Sequence, residues 1–246
     1  MHLAVDIGNS TITVAIFHGG ELITCRSTAV HQAWENHLRA ILEAFHIDRV
    51  GLSSVSPVTR ELLLDLLKSH SSAPILEVRH GLTLPFAVAY HPPGALGADR
   101  LAAAAAAWHC YGEGHPTIVI DAGTALTVDV IRDGTFLGGT ISAGPDLESS
   151  ALATGTAALP RITLAGNPEV IGTSTIEAMR AGVLHGLTDR VHGSLHRLSS
   201  VLGSTRVVVA TGGWHTYLAQ HVMGIDHADP HLVVRGVQLL MAMNSA

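Results

Sequence analysis

The chain of 246 residues has little of what marks several protein classes. Its two cysteines, Cys25 and Cys110, are too few for a disulfide framework and are not spaced as a metal site. Aromatic residues make up 4% of the chain and charged residues 14%, and no long Lys/Arg run occurs. Fourteen basic residues against twenty acidic ones give a net charge of −6, so we expect no nucleic-acid partner.

Long hydrophobic runs are also missing. The most apolar stretch, residues 101–108, is far too short to cross a bilayer. The N-terminus reaches Asp6 at once and lacks the basic and apolar regions of a signal peptide. We therefore predict no membrane partner and a cytoplasmic location. Seventeen histidines are present, but they are scattered and form no metal-binding motif, which favours a compositional rather than a metal-ligating role.

Two segments of the chain follow one pattern. Residues 3–14 and 118–128 each combine an apolar run, an Asp-x-Gly turn with small polar residues, and a second run rich in Thr and Val. A further turn and a third strand-like segment, residues 21–26 and 135–140, follow in each case. The repeat predicts a duplicated domain in which each lobe opens with a three-strand meander. We place the N-terminal lobe at residues 1–114 and the C-terminal lobe at 115–246.

Helical and strand-like segments alternate along the rest of the chain. Apolar spacing predicts helices at residues 34–45, 57–67, 174–198, 214–221 and 234–243, and strands at 50–55, 74–78 and 206–210. The helix at 174–198 contains Gly182 and Gly186, where a bend is possible. The alanine run at 102–107 indicates close packing between helices. Strands interleaved with helices predict an α/β fold.

The two Asp-x-Gly turns are candidates for phosphate binding. Gly8 and Gly123 permit close approach of a ligand to the backbone, and their small polar neighbours supply donors for phosphate oxygens. Asp6, at a strand end, can hold Mg²⁺ through water. One such turn alone is more often an ordinary hairpin, whereas two equivalent turns favour a clamp on one polyphosphate across a cleft.

The segment from Gly97 to Arg100 is a second candidate. Asp99 can cap the helix that follows, or it can act as a general base on a hydroxyl group. Arg100 can be a solvated charge, or its planar guanidinium can bind a substrate carboxylate. Spacing alone leaves both interpretations open. The Gly pairs at 138–139 and 212–213 are weaker signals, compatible with tight turns or with a nucleotide lying against the backbone.

Taken in order, these motifs resemble those of type III pantothenate kinases over nearly the whole chain. The matching elements are Asp6-x-Gly8-Asn9, Gly97-x-Asp99-Arg100, Asp121-x-Gly123-Thr124-Ala125, Gly138-Gly139-x-Ile141, Thr156-Ala157-x-Leu159-Pro160 and Thr211-Gly212-Gly213. The resemblance implies a duplicated actin-like (ribonuclease H-like) fold of two lobes with a cleft between them. It also implies ATP-dependent phosphorylation of pantothenate to 4′-phosphopantothenate, the first step of coenzyme A biosynthesis, by a homodimer.

The resemblance assigns roles to particular residues. Asp99 would be the catalytic proton acceptor, Asp6 and Asp121 would hold metal ions, and Asp121 would bind the monovalent cation, K⁺ or NH₄⁺. The residues implied to contact pantothenate are Tyr90, Gly97, Ala98, Asp99, Arg100 and Thr175. The residues implied to bind ATP with Mg²⁺ are Asp6, Ile7, Gly8, Asn9, Ser10, Thr11, Ile12, Thr13, Gly123, Thr124, Gly212 and Gly213.

Three positions depart from the family pattern. Ser10 stands where Thr is usual, Ser174 where Asn is usual, and residues 142–145 replace the usual Ile-x-Pro-Gly order. None of them removes a proposed catalytic group. Two other functions stay open: a different small-molecule kinase of the same superfamily, and a nucleotide-sensing regulator without catalysis.

Overall fold

The computed structural model of the chain describes residues 1–203 and 205–245. It contains two compact units. Unit 1 is built from Met1–Glu113, Gly134–Leu137 and the chain from His231 onward, and unit 2 from Gly114–Asp133 and Gly138–Pro230. This division differs from a boundary at 114/115 chiefly in the closing helix, which belongs to unit 1 although it lies in the second half of the sequence.

Eleven strands and seven α-helices are assigned within the described residues, together with a 3₁₀ turn at Pro93–Ala95. The strands are β1 (His2–Ile7), β2 (Thr11–His18), β3 (Glu21–Ala29), β4 (Arg49–Ser54), β5 (Ile75–Glu77), β6 (Ala87–Val88), β7 (Thr117–Ala122), β8 (Ala125–Arg132), β9 (Thr135–Ala143), β10 (Val207–Thr211) and β11 (His227–Ala228). The helices are α1 (Trp34–Ala44), α2 (Pro57–His70), α3 (Ala98–Cys110), α4 (Pro145–Gly155), α5 (Thr175–Leu202), α6 (His215–His221) and α7 (Leu232–Met243).

The two sheets repeat one topology. The first has the order β3-β2-β1-β4-β5, and the second has the order β11-β10-β7-β8-β9-β6. In the first sheet, β1 and β2 are antiparallel and β1 and β4 are parallel. In the second sheet, β7 and β8 are likewise antiparallel, and β7 and β10 are parallel. The second sheet therefore copies the first strand for strand, with β6 added beside β9. This arrangement confirms the predicted α/β fold with a duplicated domain.

The core of unit 1 contains the closely packed helices α3 and α7. Residues 102–107, all alanine, are 0–2% exposed, and a Cβ at Gly236 would lie 1.9 Å from the Ala102 carbonyl oxygen. Gly51 on β4 is covered in the same way, since a Cβ there would lie 2.5 Å from Val237. Because neither glycine has a side chain, α7 approaches both α3 and β4 closely. The alanine run thus packs helices together, as predicted.

Several elements differ in detail from the sequence-based expectation. Helix α5 runs from Thr175 to Leu202 without interruption, because Gly182 and Gly186 lie within regular helix and no proline breaks it. The sequence pattern did not predict α4 or the two-residue strands β6 and β11. No helix among residues 1–203 and 205–245 is long and apolar enough to cross a membrane.

Candidate active site

The first Asp-x-Gly turn joins β1 to β2 in unit 1. The Gly8 N–H donates to the Thr11 carbonyl at 2.9 Å and closes the turn. Asn9, Ser10 and Thr11 are exposed, so their polar groups are accessible to a ligand. A Cβ at Gly8 would lie 3.2 Å from the Thr11 carbonyl oxygen, so glycine suits the tight turn. An exposed turn of small polar residues can offer hydrogen-bond donors to an anion.

The residues that flank this turn divide between core and surface. Ile7 and Ile12 are 0% exposed and belong to the hydrophobic core, so only their backbone groups are available to a nucleotide. Thr13 lies opposite Asp6 in the β1–β2 pairing, and its hydroxyl is 2.8 Å from the Ser27 hydroxyl. Alternation along β2 therefore places Thr11 and Thr13 away from the core, whereas Ile12 faces into it.

The carboxyl group of Asp6 lies in an unusual electrostatic environment. Burial raises the pKa of its carboxyl from 3.8 to about 7, the Ser53 hydroxyl partly opposes this shift, and the negative charge of Asp99 adds to it. The Asp6 Oδ1 and Ser53 Oγ atoms are buried, and neither has an aligned hydrogen-bond partner within the described chain. Ser53 is the residue paired with Asp6 on β4. A buried carboxylate oxygen without a partner, next to a second carboxyl group, fits the oxygen ligands that Mg²⁺ prefers.

Asp99 stands in the first turn of α3, which follows Gly97. Its Oδ1 accepts a hydrogen bond from the Arg100 backbone N–H at 2.8 Å. A Cβ at Gly97 would lie 2.5 Å from that same Oδ1, so any larger residue would displace the carboxylate. Gly97 thus leaves space for the Asp99 carboxylate. Asp99 lies inside the first turn of α3, so its side chain does not cap the helix from the N-cap position, which Gly97 occupies.

Arg100 is a buried cation beside aromatic rings. It is 8% exposed, and its guanidinium carbon lies 5.2 Å from the Tyr90 ring centroid and 5.9 Å from that of Phe136. Its Nη1 is 3.5 Å from the Tyr90 hydroxyl. This burial excludes the interpretation of Arg100 as a solvated surface charge.

The second Asp-x-Gly turn joins β7 to β8 in unit 2 and is one residue shorter than the first, but its glycine N–H also closes the turn. The Gly123 N–H donates to the Ala125 carbonyl at 2.9 Å, and the Thr124 carbonyl accepts from the Gly144 N–H at 2.9 Å. A Cβ at Gly144 would lie 2.0 Å from the Gly123 carbonyl oxygen. Gly144 therefore allows the start of α4 to pack directly on this turn, although the order of residues 142–145 departs from the family pattern.

Gly212 covers Asp121 from the end of β10. Its φ of +85° lies in the left-handed region, and a Cβ there would be 2.4 Å from Asp121 Oδ1. The backbone N–H of Trp214 donates to the Ala122 carbonyl at 3.0 Å, and this hydrogen bond holds the turn after β10 against the end of β7. The missing side chain lets the Gly212 backbone lie directly against the Asp121 carboxylate and the Ala122 carbonyl, two oxygen groups of the kind that hard cations take as ligands. Gly213 has open space around its Cα.

Thr175 opens helix α5 in unit 2 and is exposed. The preceding Ser174 caps the helix, since its hydroxyl accepts from the Glu177 N–H at 3.3 Å. The Glu177 carboxylate in turn accepts from the Thr173 N–H and hydroxyl, both at 2.8 Å. Serine thus performs the capping role at this position and holds the first turn that presents Thr175.

The structure groups the candidate residues by unit. In unit 1 it places Asp6 near Asp99 and Arg100 against Tyr90, and in unit 2 it places Gly123 and Gly212 around Asp121. Sequence reasoning missed Ser53 and Phe136. Strand register identifies Ser53 as the partner of Asp6, and the β6–β9 pairing brings Phe136 to Tyr90, but neither pairing is visible in local sequence. Among residues 1–203 and 205–245, no three His, Cys, Asp or Glu residues form a metal-binding group.

Comparison with known proteins agrees with this arrangement. Residues 2–197 match the family model of type III pantothenate kinase. The chain is 32% identical over 257 residues to the type III pantothenate kinase of Moorella thermoacetica, with 100% of both chains covered. It is 36% identical over 258 residues to that of Acidiphilium cryptum, covering 100% of this chain and 96% of the relative.

Solved structures support the fold. A ROK family glucokinase from Streptomyces griseus, in complex with glucose and AMPPNP, has a TM-score of 0.55 at 13% identity and covers 97% of this chain and 98% of its own. At that identity the likeness concerns the fold alone, and it agrees with the repeated sheet topology. Together, the two equivalent turns, the Gly97–Arg100 element and the full-length similarity lead to one conclusion: the chain belongs to the type III pantothenate kinase family.

Proposed function

We propose that this chain transfers the γ-phosphoryl group of ATP to the primary hydroxyl of pantothenate, giving 4′-phosphopantothenate and ADP in the first step of coenzyme A biosynthesis. The observation that carries the proposal is the Gly97–Arg100 element. It holds a carboxylate and a buried guanidinium at the start of one helix, in a chain that matches the family over its full length. Those two groups suit a substrate that has a hydroxyl at one end and a carboxylate at the other.

Asp99 is the catalytic base in this proposal. As the hydroxyl oxygen of pantothenate bonds to the γ-phosphorus, the bond from phosphorus to the β,γ-bridging oxygen breaks, and Asp99 accepts the hydroxyl proton. The hydrogen bond from the Arg100 N–H at 2.8 Å holds the carboxylate in position. A base that is held in this way loses little freedom when the substrate arrives.

Arg100 binds the pantothenate carboxylate in the same proposal. A guanidinium can donate two parallel hydrogen bonds to a carboxylate, and such a pair is strong where water is excluded. Arg100 is only 8% exposed, so water is partly excluded from its guanidinium. Tyr90, Gly97, Ala98 and Thr175 complete the proposed set of pantothenate contacts.

The nucleotide is bound by the two Asp-x-Gly turns. Residues 6–13 form the first phosphate loop, with Gly123, Thr124, Gly212 and Gly213 as further ATP contacts. Asp6 would hold Mg²⁺, and a bound Mg²⁺ would neutralise phosphate charge. The buried, unpartnered Oδ1 of Asp6 supports this assignment. Asp121 would bind the monovalent cation, and the carboxylate and Ala122 carbonyl oxygens that meet beside Gly212 support this assignment.

We further propose a homodimer in the cytoplasm. The family resemblance supports both, and unit 2 leaves several large apolar side chains exposed, as a subunit interface would require: Ile141, Leu147, Val170, Ile171 and Ile176. Sedimentation velocity at micromolar concentration tests the assembly. A single species with the mass of one chain, 25.7 kDa, contradicts the proposed homodimer.

The function is tested by measuring ADP release when pantothenate is added to the protein with ATP, Mg²⁺ and K⁺. Asp99→Asn is expected to lower turnover by about 10²–10⁴-fold while ATP still binds, because only the proton acceptor is lost. Asp65→Asn, at an exposed position of α2, is the matched control and should retain activity. Normal turnover by Asp99→Asn contradicts the assignment of the base.

The two alternatives give different outcomes in the same assay. Another small-molecule kinase would phosphorylate a member of a hydroxyl-compound panel faster than pantothenate. A nucleotide-sensing regulator would bind ATP in calorimetry and turn over no member of that panel. The proximity of Asp99 and the buried Arg100 favours pantothenate over both.

A further inference from the structure

Aromatic residues are scarce in this chain, yet two of them contact Arg100 and a third packs against one of these two. The whole sequence has four Phe, three Tyr and three Trp. Two of the four phenylalanines, Phe86 and Phe136, and one tyrosine, Tyr90, form a continuous group. The Phe86 and Phe136 ring centroids are 6.1 Å apart, and those of Tyr90 and Phe136 are 6.3 Å apart at 66°. We call these three residues the aromatic cluster.

The cluster is fixed by backbone pairing. Strand β6 runs parallel to the start of β9, with Val88 opposite Phe136, and the Ala89 N–H donates to the Phe136 carbonyl at 2.9 Å. Phe136 is 0% exposed and Phe86 is 7% exposed. The Phe136 ring is therefore buried and packs against Phe86, and Tyr90 lies beside both Phe136 and Arg100.

A cation over an aromatic face is attracted by the negative charge of that face, most strongly where water is excluded. The guanidinium carbon of Arg100 is 5.9 Å from the Phe136 ring centroid. Phe136 contacts this cation yet has no polar atom of its own. It can therefore fix the plane of the guanidinium without competing for the hydrogen bonds that a carboxylate needs.

We propose that Phe136 is a positioning residue that sets the orientation of Arg100 and thereby the affinity for the carboxylate of the substrate. The inference rests on the proposed function, since it needs pantothenate as the substrate. Phe136 acts through Arg100 and does not touch the reacting atoms. Its removal affects the part of the substrate that Arg100 binds, and it leaves ATP binding and the proton acceptor intact.

The test compares two substrates in the full-length protein: pantothenate, and its amide analogue in which a neutral carboxamide replaces the carboxylate. Phe136→Leu is expected to raise the KM for pantothenate by about tenfold, the effect of one desolvated cation–π contact. The KM for the amide analogue and the KM for ATP should not change. A purely structural role would alter all three constants together, or would lower kcat.

Phe17→Leu is the matched control, because Phe17 is also buried in unit 1, at 1% exposure, and lies on β2 away from the cluster. It should leave both substrate KM values unchanged. If Phe136→Leu does not fold by circular dichroism, Phe136→Met supplies an unbranched, flexible apolar side chain without the ring and is expected to give the same selective effect. An equal change for both substrates, or no change for either, overturns the positioning role. Failure of the unsubstituted protein to phosphorylate pantothenate overturns the proposed function, and the inference with it.

Discussion

At the scale of single residues, Asp6 makes stability depend on pH in an unusual direction. Burial raises the pKa of Asp6 to about 7 from an ordinary 3.8, so the folded protein holds a proton that the unfolded chain releases at lower pH. The contribution of this group to stability is therefore greatest below the unfolded pKa and is lost as pH rises through the folded pKa.

We expect the substitution Asp6→Asn to remove this dependence. In the absence of metal and nucleotide, the free energy of unfolding of the variant should exceed that of the unsubstituted protein increasingly between pH 4 and 8, with a limiting difference of about 4 kcal/mol. Urea unfolding at a series of pH values measures it. Asp65→Asn, at an exposed site, is the control and should run parallel to the unsubstituted protein. A constant difference at every pH would contradict the raised pKa.

Gly212 supports a second prediction at the residue scale. Gly212→Ala places a Cβ 2.4 Å from Asp121 Oδ1 at a φ of +85°, so we expect a loss of about 2–4 kcal/mol from steric and backbone strain together. Thermal or urea unfolding measures the change. Gly224→Ala has a similar φ of +88° in open space, and it should cost only about 1 kcal/mol. Equal losses in the two variants would show that Asp121 does not constrain this turn.

At the site, local sequence predicted some residues and could not predict others. The two Asp-x-Gly turns and the Gly97–Arg100 element are short motifs whose geometry is set by neighbours along the chain. Ser53 and Phe136 come from strands distant in sequence, and their roles depend on register and sheet order. Ile7 and Ile12 illustrate the converse, since a phosphate loop named as a block of residues includes side chains that belong to the core.

At the scale of helices, the same substitution should have opposite effects at two positions. Gly236→Ala on α7 would place a Cβ 1.9 Å from the Ala102 carbonyl oxygen, and we expect it to destabilise the protein by about 1–3 kcal/mol. Gly182→Ala on α5 meets no atom within 4 Å, and it should stabilise the helix by about 0.5–1 kcal/mol through helix propensity. Urea unfolding of the two variants measures both. Destabilisation by Gly182→Ala would indicate that this face of α5 is covered in solution.

Element prediction succeeded where the periodic pattern was long. The apolar spacing predicted α1, α2, α5 and α7 within a few residues at each end. Helix α4 was missed because its sequence, from Pro145 to Gly155, buries little of its length and has no clear apolar stripe. The strands β6 and β11 are two residues long, and they exist only because a neighbouring strand pairs with them.

At the scale of the whole molecule, the closing helix completes unit 1. Deletion of the chain after Pro230 removes five side chains that are 0–1% exposed: Leu232, Val234, Val237, Leu240 and Met241. At about 1.5–3 kcal/mol for each buried side chain, the loss is comparable to the about 5–15 kcal/mol that stabilises a typical protein. We expect hydrogen exchange to show unprotected amides on β1 in the truncated chain. Retained protection there would contradict the role given to α7.

The way in which unit 1 is assembled also limits how the duplicated halves can be inherited. Its first 113 residues need α7 and the segment Gly134–Leu137, both encoded after the midpoint of the sequence. A gene split between the repeats would therefore yield a first product that lacks part of its own interior. Recombination that exchanged one repeat for a homologous copy would have to preserve the fit of Gly236 to Ala102 and of Gly51 to Val237. Because of these contacts, substitutions in one repeat are constrained by residues of the other.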